Sequence, residues 1–176
     1  MSYSAVGLDN PKTDANIGSA LRACGVFGAA MIAVSGRRYK QAPTDTMKQY
    51  RHIPLIQCDD LHMVAPYDCV PVAVDLIDGA QSIFEYKHPK RAFYIFGAED
   101  STLGDRVLSW CRDVIYIPSN RCLNLAACVN VILYDRALKP ASLGTTAIKL
   151  SVSRGRACPA GEGDHRDTKI ITQVTI

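Results

Sequence analysis

Residues 10–28 read NPKTDANIGSALRACGVFG, and two later segments make sense only as partners of this stretch. Asp14 is placed to cap a helix beginning at Ala15, its carboxylate accepting from free backbone N–H groups at the positive end of the helix dipole. Ile17, Ala20, Leu21 and Cys24 recur at i, i+3, i+4 and i+7 and form one buried stripe. At about 100° per residue Arg22 falls well off that stripe, on the side shared by Gly18 and Gly25. An arginine between two glycines presents a fork of donors on a surface that another backbone can approach. Taken alone it is an ordinary solvated arginine on an amphipathic helix; the later segments change that reading.

Outward from this helix, strands alternate with helices. A short strand is predicted over 4–8. The run AAMIAV at 29–34, bounded by Gly28 and Gly36, reads as a strand covered on both faces. Residues 37–50 (RRYKQAPTDTMKQY) are basic and polar, with Thr44 placed to cap a short helix. Strands are expected over 53–57 and 70–76, the second followed by a turn at Asp78-Gly79 and a helical turn or two over 81–86. RAFYIF at 91–96 is a further apolar strand ending at Gly97. A helix over 104–112 and the strand DVIYI at 113–117 follow. Asn124 then opens a helix to about Leu138 whose first half is apolar nearly all round, so that it is deeply buried or packed on another subunit. This alternation implies an α/β domain with a mainly parallel sheet. Beyond Pro140 the chain is rich in Gly, Ser, Thr and charge, without a helical stripe, so residues 1–139 form the domain and 140–176 an irregular basic extension. KIITQVTI at 169–176 alternates like an edge strand or one that pairs across subunits.

Composition narrows the class. With 176 residues, 48% apolar and 21% charged, the chain is long enough to bury a real core and is expected to be soluble. No apolar run approaches the ~20 residues of a membrane span, and the first ten residues lack the basic-then-apolar pattern of a signal peptide. Seven cysteines, an odd number without a C-x-x-C pair, read as small buried hydrophobes in a reducing cytoplasm. The four scattered histidines form no metal-ligand spacing, so no metal is expected. From Lys139 onward there are six basic and three acidic residues, which account for the whole net charge of +3. A basic tail on a neutral domain suits an anionic partner.

The second segment, YIFGAEDSTL at 94–103, runs an apolar strand into Gly97 and then Glu99, a bare backbone and a carboxylate at a strand's carboxyl end, where ligands of open α/β sheets bind. The third, VIYIPSNRCLNLAACVNVILYD at 114–135, ends a strand at Ile117-Pro118 and enters the last helix through Cys122-Leu123-Asn124, with Asn124 a good N-cap. Each also has an ordinary reading as a loop with a helix cap.

Together and in this order, the three segments resemble motifs 1, 2 and 3 of the SpoU/TrmH family of RNA 2′-O-ribose methyltransferases, in the SPOUT superfamily. The first motif matches at Asn10-Pro11, Asn16-Ile17-Gly18, Arg22 and Phe27-Gly28. The second matches at Gly97, Glu99 and Leu103, the third at Ile117-Pro118, Leu123-Asn124 and Leu133-Tyr134. The pattern departs from the family at Thr13, Ala15 and Thr102. It departs most at Cys122, which stands where the family has a serine, after a shortened loop.

The resemblance implies a C-terminal deep trefoil knot cradling S-adenosylmethionine, a topology that general chain-threading rules treat as a rarity. It implies a cofactor pocket lined by Phe96, Gly97, Ile117, Pro118 and Leu123, with Val74 and Leu76 closing over it. It implies a homodimer with RNA bound across the interface and Arg22 near the partner's cofactor. Arg22, Asn16, Glu99 and Asn124 would be the catalytic set, with Arg22 closest to the acceptor ribose. An arginine with a pKa above ~12 is a reluctant base, so electrostatic clamping of a phosphate and of the developing alkoxide is the stronger role. Arg37, Arg38, Lys40, Lys48 and Arg51 form the densest basic cluster before the tail and a candidate phosphate track. Structured RNA is the expected substrate, tRNA ahead of rRNA. A superfamily member that methylates a base nitrogen and a catalytically silent RNA-binding scaffold remain open, whereas a dinucleotide-binding dehydrogenase lacks its G-x-G-x-x-G after the first strand.

Overall fold

Among the described residues, seven parallel strands form one sheet in the order β3-β2-β1-β6-β4-β7-β5. They are β1 (Tyr3–Leu8), β2 (Met31–Ser35), β3 (Leu55–Cys58), β4 (Val70–Val74), β5 (Gln81–Ser82), β6 (Arg91–Phe96) and β7 (Asp113–Tyr116). The helices are α1 (Asp14–Phe27), α2 (Asp105–Leu108) and α3 (Leu125–Leu138). This computed structural model describes residues 2–36, 39–98 and 102–139. These all fall in one compact unit; a second unit, 147–176, lies outside the described residues, as do the expected extension 140–176 and its terminal strand.

The central strands alternate their apolar side chains between two cores. Val6, Leu8, Tyr94 and Phe96 face the layer of α1 and α3, together with Ile17, Leu21, Ile132 and Leu133 from those helices. Ala5, Phe93 and Ile95 face the other layer with Leu61, Leu103 and Val107. A strand covered on both faces must be apolar at every position, which is why 29–34 and 91–96 read as unbroken hydrophobic runs. Full burial of Ile17 and Leu21 contributes about 1.5–3 kcal/mol each and sets which face of α1 meets the sheet.

Several local expectations differ from the structure. Thr13, not Asp14, caps α1: its Oγ1 accepts from the Asn16 N–H at 3.3 Å, and the helix begins at Asp14 itself. The Asp14 carboxylate accepts instead from the Lys40 N–H. Thr44 caps nothing and donates its hydroxyl to the Ala15 carbonyl, while Asp45 accepts from the Gln49 and Tyr50 N–H groups that open a short 3-10 turn. Residues 81–82 pair with β7 as a strand where a helical turn was expected, because the sheet edge offers ladder partners that local sequence does not reveal. The helix expected over 104–112 is one turn long. Of the six described cysteines, Cys24 is fully buried, as expected of all; Cys58, Cys69, Cys111 and Cys128 are half-buried against the two cores, and Cys122 is exposed. Burial pushes the Cys24 thiol up to about 12.

The carboxyl end of α3 is pinned by buried polar contacts. The Arg136 guanidinium donates to the carbonyls of Pro89, Tyr3 and Lys90 and to the Tyr94 hydroxyl. His88, 2% exposed, links Tyr94 Oη at 2.6 Å to Asp135 Oδ2 at 2.8 Å. These bonds clamp the helix to the amino-terminal end of the sheet. The opposite end of α3 is thereby held at the carboxyl ends of the strands.

Candidate functional site

A cavity of about 550 Å³ opens at the carboxyl ends of β4, β6 and β7. Volumes of about 300–1,000 Å³ are usual for sites that enclose a small molecule. Val74 and Leu76 from the end of β4, Phe96 and Gly97 after β6, and Ile117 and Leu123 after β7 all line it. Three loops distant in the chain thus share one space. Of the seven residues expected to line the cofactor pocket, only Pro118 is absent from the wall, although its neighbours Ile117 and Ser119 belong to it.

The physical reason lies in strand order. β4, β6 and β7 are adjacent and parallel, so the backbones that leave their carboxyl ends emerge side by side. Phe96 O, Ile115 O, Tyr116 O and the Asp75 and Leu76 N–H groups are bonded within the chain, and strand-end groups left over beyond them are those that meet a ligand. Gly97 carries no side chain to fill the space.

Asn124 accepts from the Ala126 N–H at 3.0 Å and so caps α3. Its Nδ2 donates to Asn16 Oδ1 at 3.0 Å. That single bond joins the first turn of α1 to the first turn of α3. It links the first segment of the sequence to the third, 108 residues on. Neither asparagine lines the cavity; Asn124 lies in the chain between the wall residues Leu123 and Leu125.

Arg22 is exposed and does not line this cavity. Six residues beyond Asn16, it lies about 9 Å further along the helix axis at 1.5 Å per residue. It borders a separate shallow groove with Ser19, Val26, Thr44, Thr46 and Asn130. The close approach that Gly18 and Gly25 permit is made by the chain's own residues 42–49: a Cβ on Gly18 would lie 2.5 Å from Thr44 Oγ1 and 3.1 Å from the Asp45 nitrogen, and one on Gly25 would lie 2.4 Å from the Gln49 side chain. The basic segment is therefore docked on the helix that carries Arg22.

Within that segment Lys40, Lys48 and Arg51 are exposed. Arg51 donates to Tyr50 Oη at 3.1 Å and lies over the Tyr50 ring at 5.6 Å. Arg37, Arg38 and Glu99 lie outside the described residues.

Sequence reasoning passed over Asp75, Thr102, Asn120 and Arg121, which also line the cavity. Asp75 carried a readable signal, a carboxylate one residue past the end of an apolar strand. Among the described residues, no group of three or more His, Cys, Asp or Glu is arranged to hold a metal ion. Among them, too, no helix is long and apolar enough to cross a membrane.

Residues 4–134 match the model of the SpoU rRNA methylase family. No protein of curated function matches the chain significantly by sequence. The fold is similar to that of the SpoU methyltransferase AviRb from Streptomyces viridochromogenes, with 22% identity and a TM-score of 0.66 over 76% of this chain and 58% of AviRb. AviRb has also been solved in complex with the cofactor AdoMet. A TrmH/SpoU tRNA modifying enzyme from A. aeolicus gives a TM-score of 0.70 at 18% identity over 77% of this chain and 74% of that one. An enzyme described by the 2-OH methylation of C/U34 on tRNA gives 0.65 at 22% identity, over 77% of this chain and 94% of that one. The chain thus spans less than two thirds of AviRb's length, though nearly all of the last enzyme's. With the family model matching residues 4–134, most of the chain, the chain belongs to the SpoU rRNA methylase family.

Proposed function

We propose that this protein is an S-adenosylmethionine-dependent methyltransferase acting on a ribose 2′-hydroxyl of structured RNA, as a cytoplasmic homodimer. The observation that carries the reading is the convergence of three strand-end loops on one cavity, with the Asn16–Asn124 bond tying that cavity to the helix of Arg22. The cavity suits the cofactor in size, and its apolar strand-end walls and remaining backbone groups suit an adenosine and a methionine chain.

The cofactor, when bound, would supply an activated methyl group for the ribose oxygen, with a neutral thioether as the leaving group. The protein's part is alignment and charge management. Phe96, Gly97, Ile117, Pro118 and Leu123 hold the donor, and Val74 and Leu76 close over it. Asn16 and Asn124 fix one another and orient the ribose. Arg22 clamps a phosphate and the negative charge that grows on the oxygen as its proton leaves. Glu99 fixes Arg22 or its loop.

Arg22 serves the cavity of a second subunit in this reading, which accords with its place outside its own. The exposed Val26, Val131, Tyr134 and Leu138 on α1 and α3 give a second copy an apolar face to cover. Arg37, Arg38, Lys40, Lys48 and Arg51 track RNA phosphates beside Arg22. The deep trefoil knot belongs to the same proposal, formed where the chain beyond β7 turns back into α3. Transfer RNA is preferred over ribosomal RNA, a preference supported by the match that covers 94% of a chain tied to the 2-OH methylation of C/U34 on tRNA.

The test is transfer of labelled methyl from S-adenosylmethionine to total tRNA and total rRNA, followed by nucleoside analysis. The reading expects label in a linkage resistant to alkali, since a methylated 2′-oxygen cannot attack its phosphate. Label in an alkali-labile nucleotide would instead identify a base methyltransferase, and cofactor binding without transfer to any RNA would favour the silent scaffold.

A further inference from the structure

We infer that Asp75 is a cofactor-selectivity residue, its carboxylate favouring the positively charged sulfonium donor over the neutral thioether product. The inference rests on the methyl-transfer reading above and goes beyond the loops that carry it. Asp75 follows β4 directly and lines the cavity between Val74 and Leu76. Among the described residues of the wall it is the sole carboxylate, and Arg121 on the opposite loop is the sole cation.

The carboxylate is held in place. Oδ1 accepts from the Leu76 N–H at 2.7 Å and Oδ2 from the Leu103 N–H at 2.5 Å. Leu103 is 3% exposed, so the second bond anchors the carboxylate to a fixed point of the core. Each oxygen has a further lone-pair direction beyond the one these bonds use. Both donors are neutral, so they orient the negative charge without cancelling it. Around it stand Val74, Phe96, Ile117 and Leu123, apolar walls that let a charge act more strongly than it would in water.

S-Adenosylmethionine carries a sulfonium, an ammonium and a carboxylate, whereas S-adenosylhomocysteine keeps the last two and lacks the sulfonium charge together with the transferred methyl. A fixed carboxylate in an apolar wall distinguishes the two by that charge. After transfer the product loses this attraction, which eases its release. Asp75 also ties the end of β4 to the loop after β6, and a purely structural role would rest on that tie. Such a role touches donor and product equally, so the ratio of their affinities separates the two.

Calorimetry on the full chain measures binding of S-adenosylmethionine and S-adenosylhomocysteine to the unmodified protein, to Asp75→Asn and to Asp75→Glu, with circular dichroism as the check of folding. Asp75→Asn is expected to weaken the donor on the order of tenfold while leaving the product nearly unchanged, the size of losing one charge-assisted contact. Asp75→Glu keeps the preference. Equal weakening of both ligands, or none, overturns the inference while leaving the methyl-transfer reading standing. An unmodified protein that binds neither ligand overturns both. Should Asp75→Asn fail to fold, the unmodified protein still decides: its preference for the donor must fall from low to high salt, and a salt-independent preference overturns the inference.

Discussion

Arg22 shows how little a single residue type reveals by itself. Exposed on an amphipathic helix, it resembles any solvated arginine; the role proposed for it depends on the cavity of a second subunit, since it does not line its own. If it clamps the acceptor, Arg22→Lys keeps the charge, loses the bidentate fork and lowers methyl transfer about 10²-fold or more, with donor affinity unchanged. Single-turnover methyl transfer beside calorimetry checks both halves, and full activity in the lysine variant would discredit the clamp. Asn124 acts on structure and site together. Asn124→Ala removes the α3 cap and the bond to Asn16, and is expected to cost about 1–2 kcal/mol in urea unfolding besides weakening transfer.

At the scale of elements, the contact between α1 and residues 42–49 is the one with consequences. Gly18 faces Thr44 Oγ1 and a main-chain nitrogen that cannot swing away, whereas Gly25 faces the flexible end of Gln49. The two glycines, alike in sequence, should therefore answer differently to the same change. Gly18→Ala is expected to destabilise by about 1–3 kcal/mol, because the loop must move off the helix. Gly25→Ala is near neutral or stabilising, as Gln49 turns aside and the helix gains about 1 kcal/mol of propensity. Thermal unfolding of the two variants checks this, and equal losses would refute the distinction. The displaced loop carries Lys48 and follows Lys40, so Gly18→Ala should also weaken RNA binding.

At the scale of the whole molecule, α3 spans from the cavity to the buried polar cluster at the other end of the sheet. Burial lowers His88 below the usual histidine pKa of about 6.5, against the opposing pull of the Asp135 carboxylate. Its folded value is thus lower than its unfolded value. Above about pH 6.5 the group is neutral in both states; below it the unfolded chain gains a proton that the folded protein refuses, so stability falls with pH. The melting temperature should drop more steeply from about pH 7 to about pH 5 in the natural protein than in His88→Asn, and parallel profiles would contradict the assignment. Action across two subunits has its own test. Mixing an inactive Arg22→Ala protein with an inactive Leu123→Trp protein, whose cavity is filled, should restore measurable methyl transfer through mixed dimers. No recovery would confine Arg22 to its own subunit.

What the sequence by itself determined is whatever rests on short-range periodicity and on residue type. The unbroken apolar runs at 29–34 and 91–96 required strands covered on both faces, and the stripe from Ile17 to Cys24 required a helix against a sheet. The resemblance of the three motifs implied a shared site, and residues of the second and third segments line one cavity. Tertiary structure alone decided which donor meets which acceptor. Thr13 rather than Asp14 caps α1, residues 81–82 become a strand because β7 lies beside them, Asn124 reaches Asn16, and Asp75 is locked into the cavity by Leu103. Each of these turns on a partner supplied by the local fold or by chain tens of residues away. Local propensity differs by a few tenths of a kcal/mol between such alternatives, whereas one satisfied buried hydrogen bond contributes about 1 kcal/mol and so settles the choice.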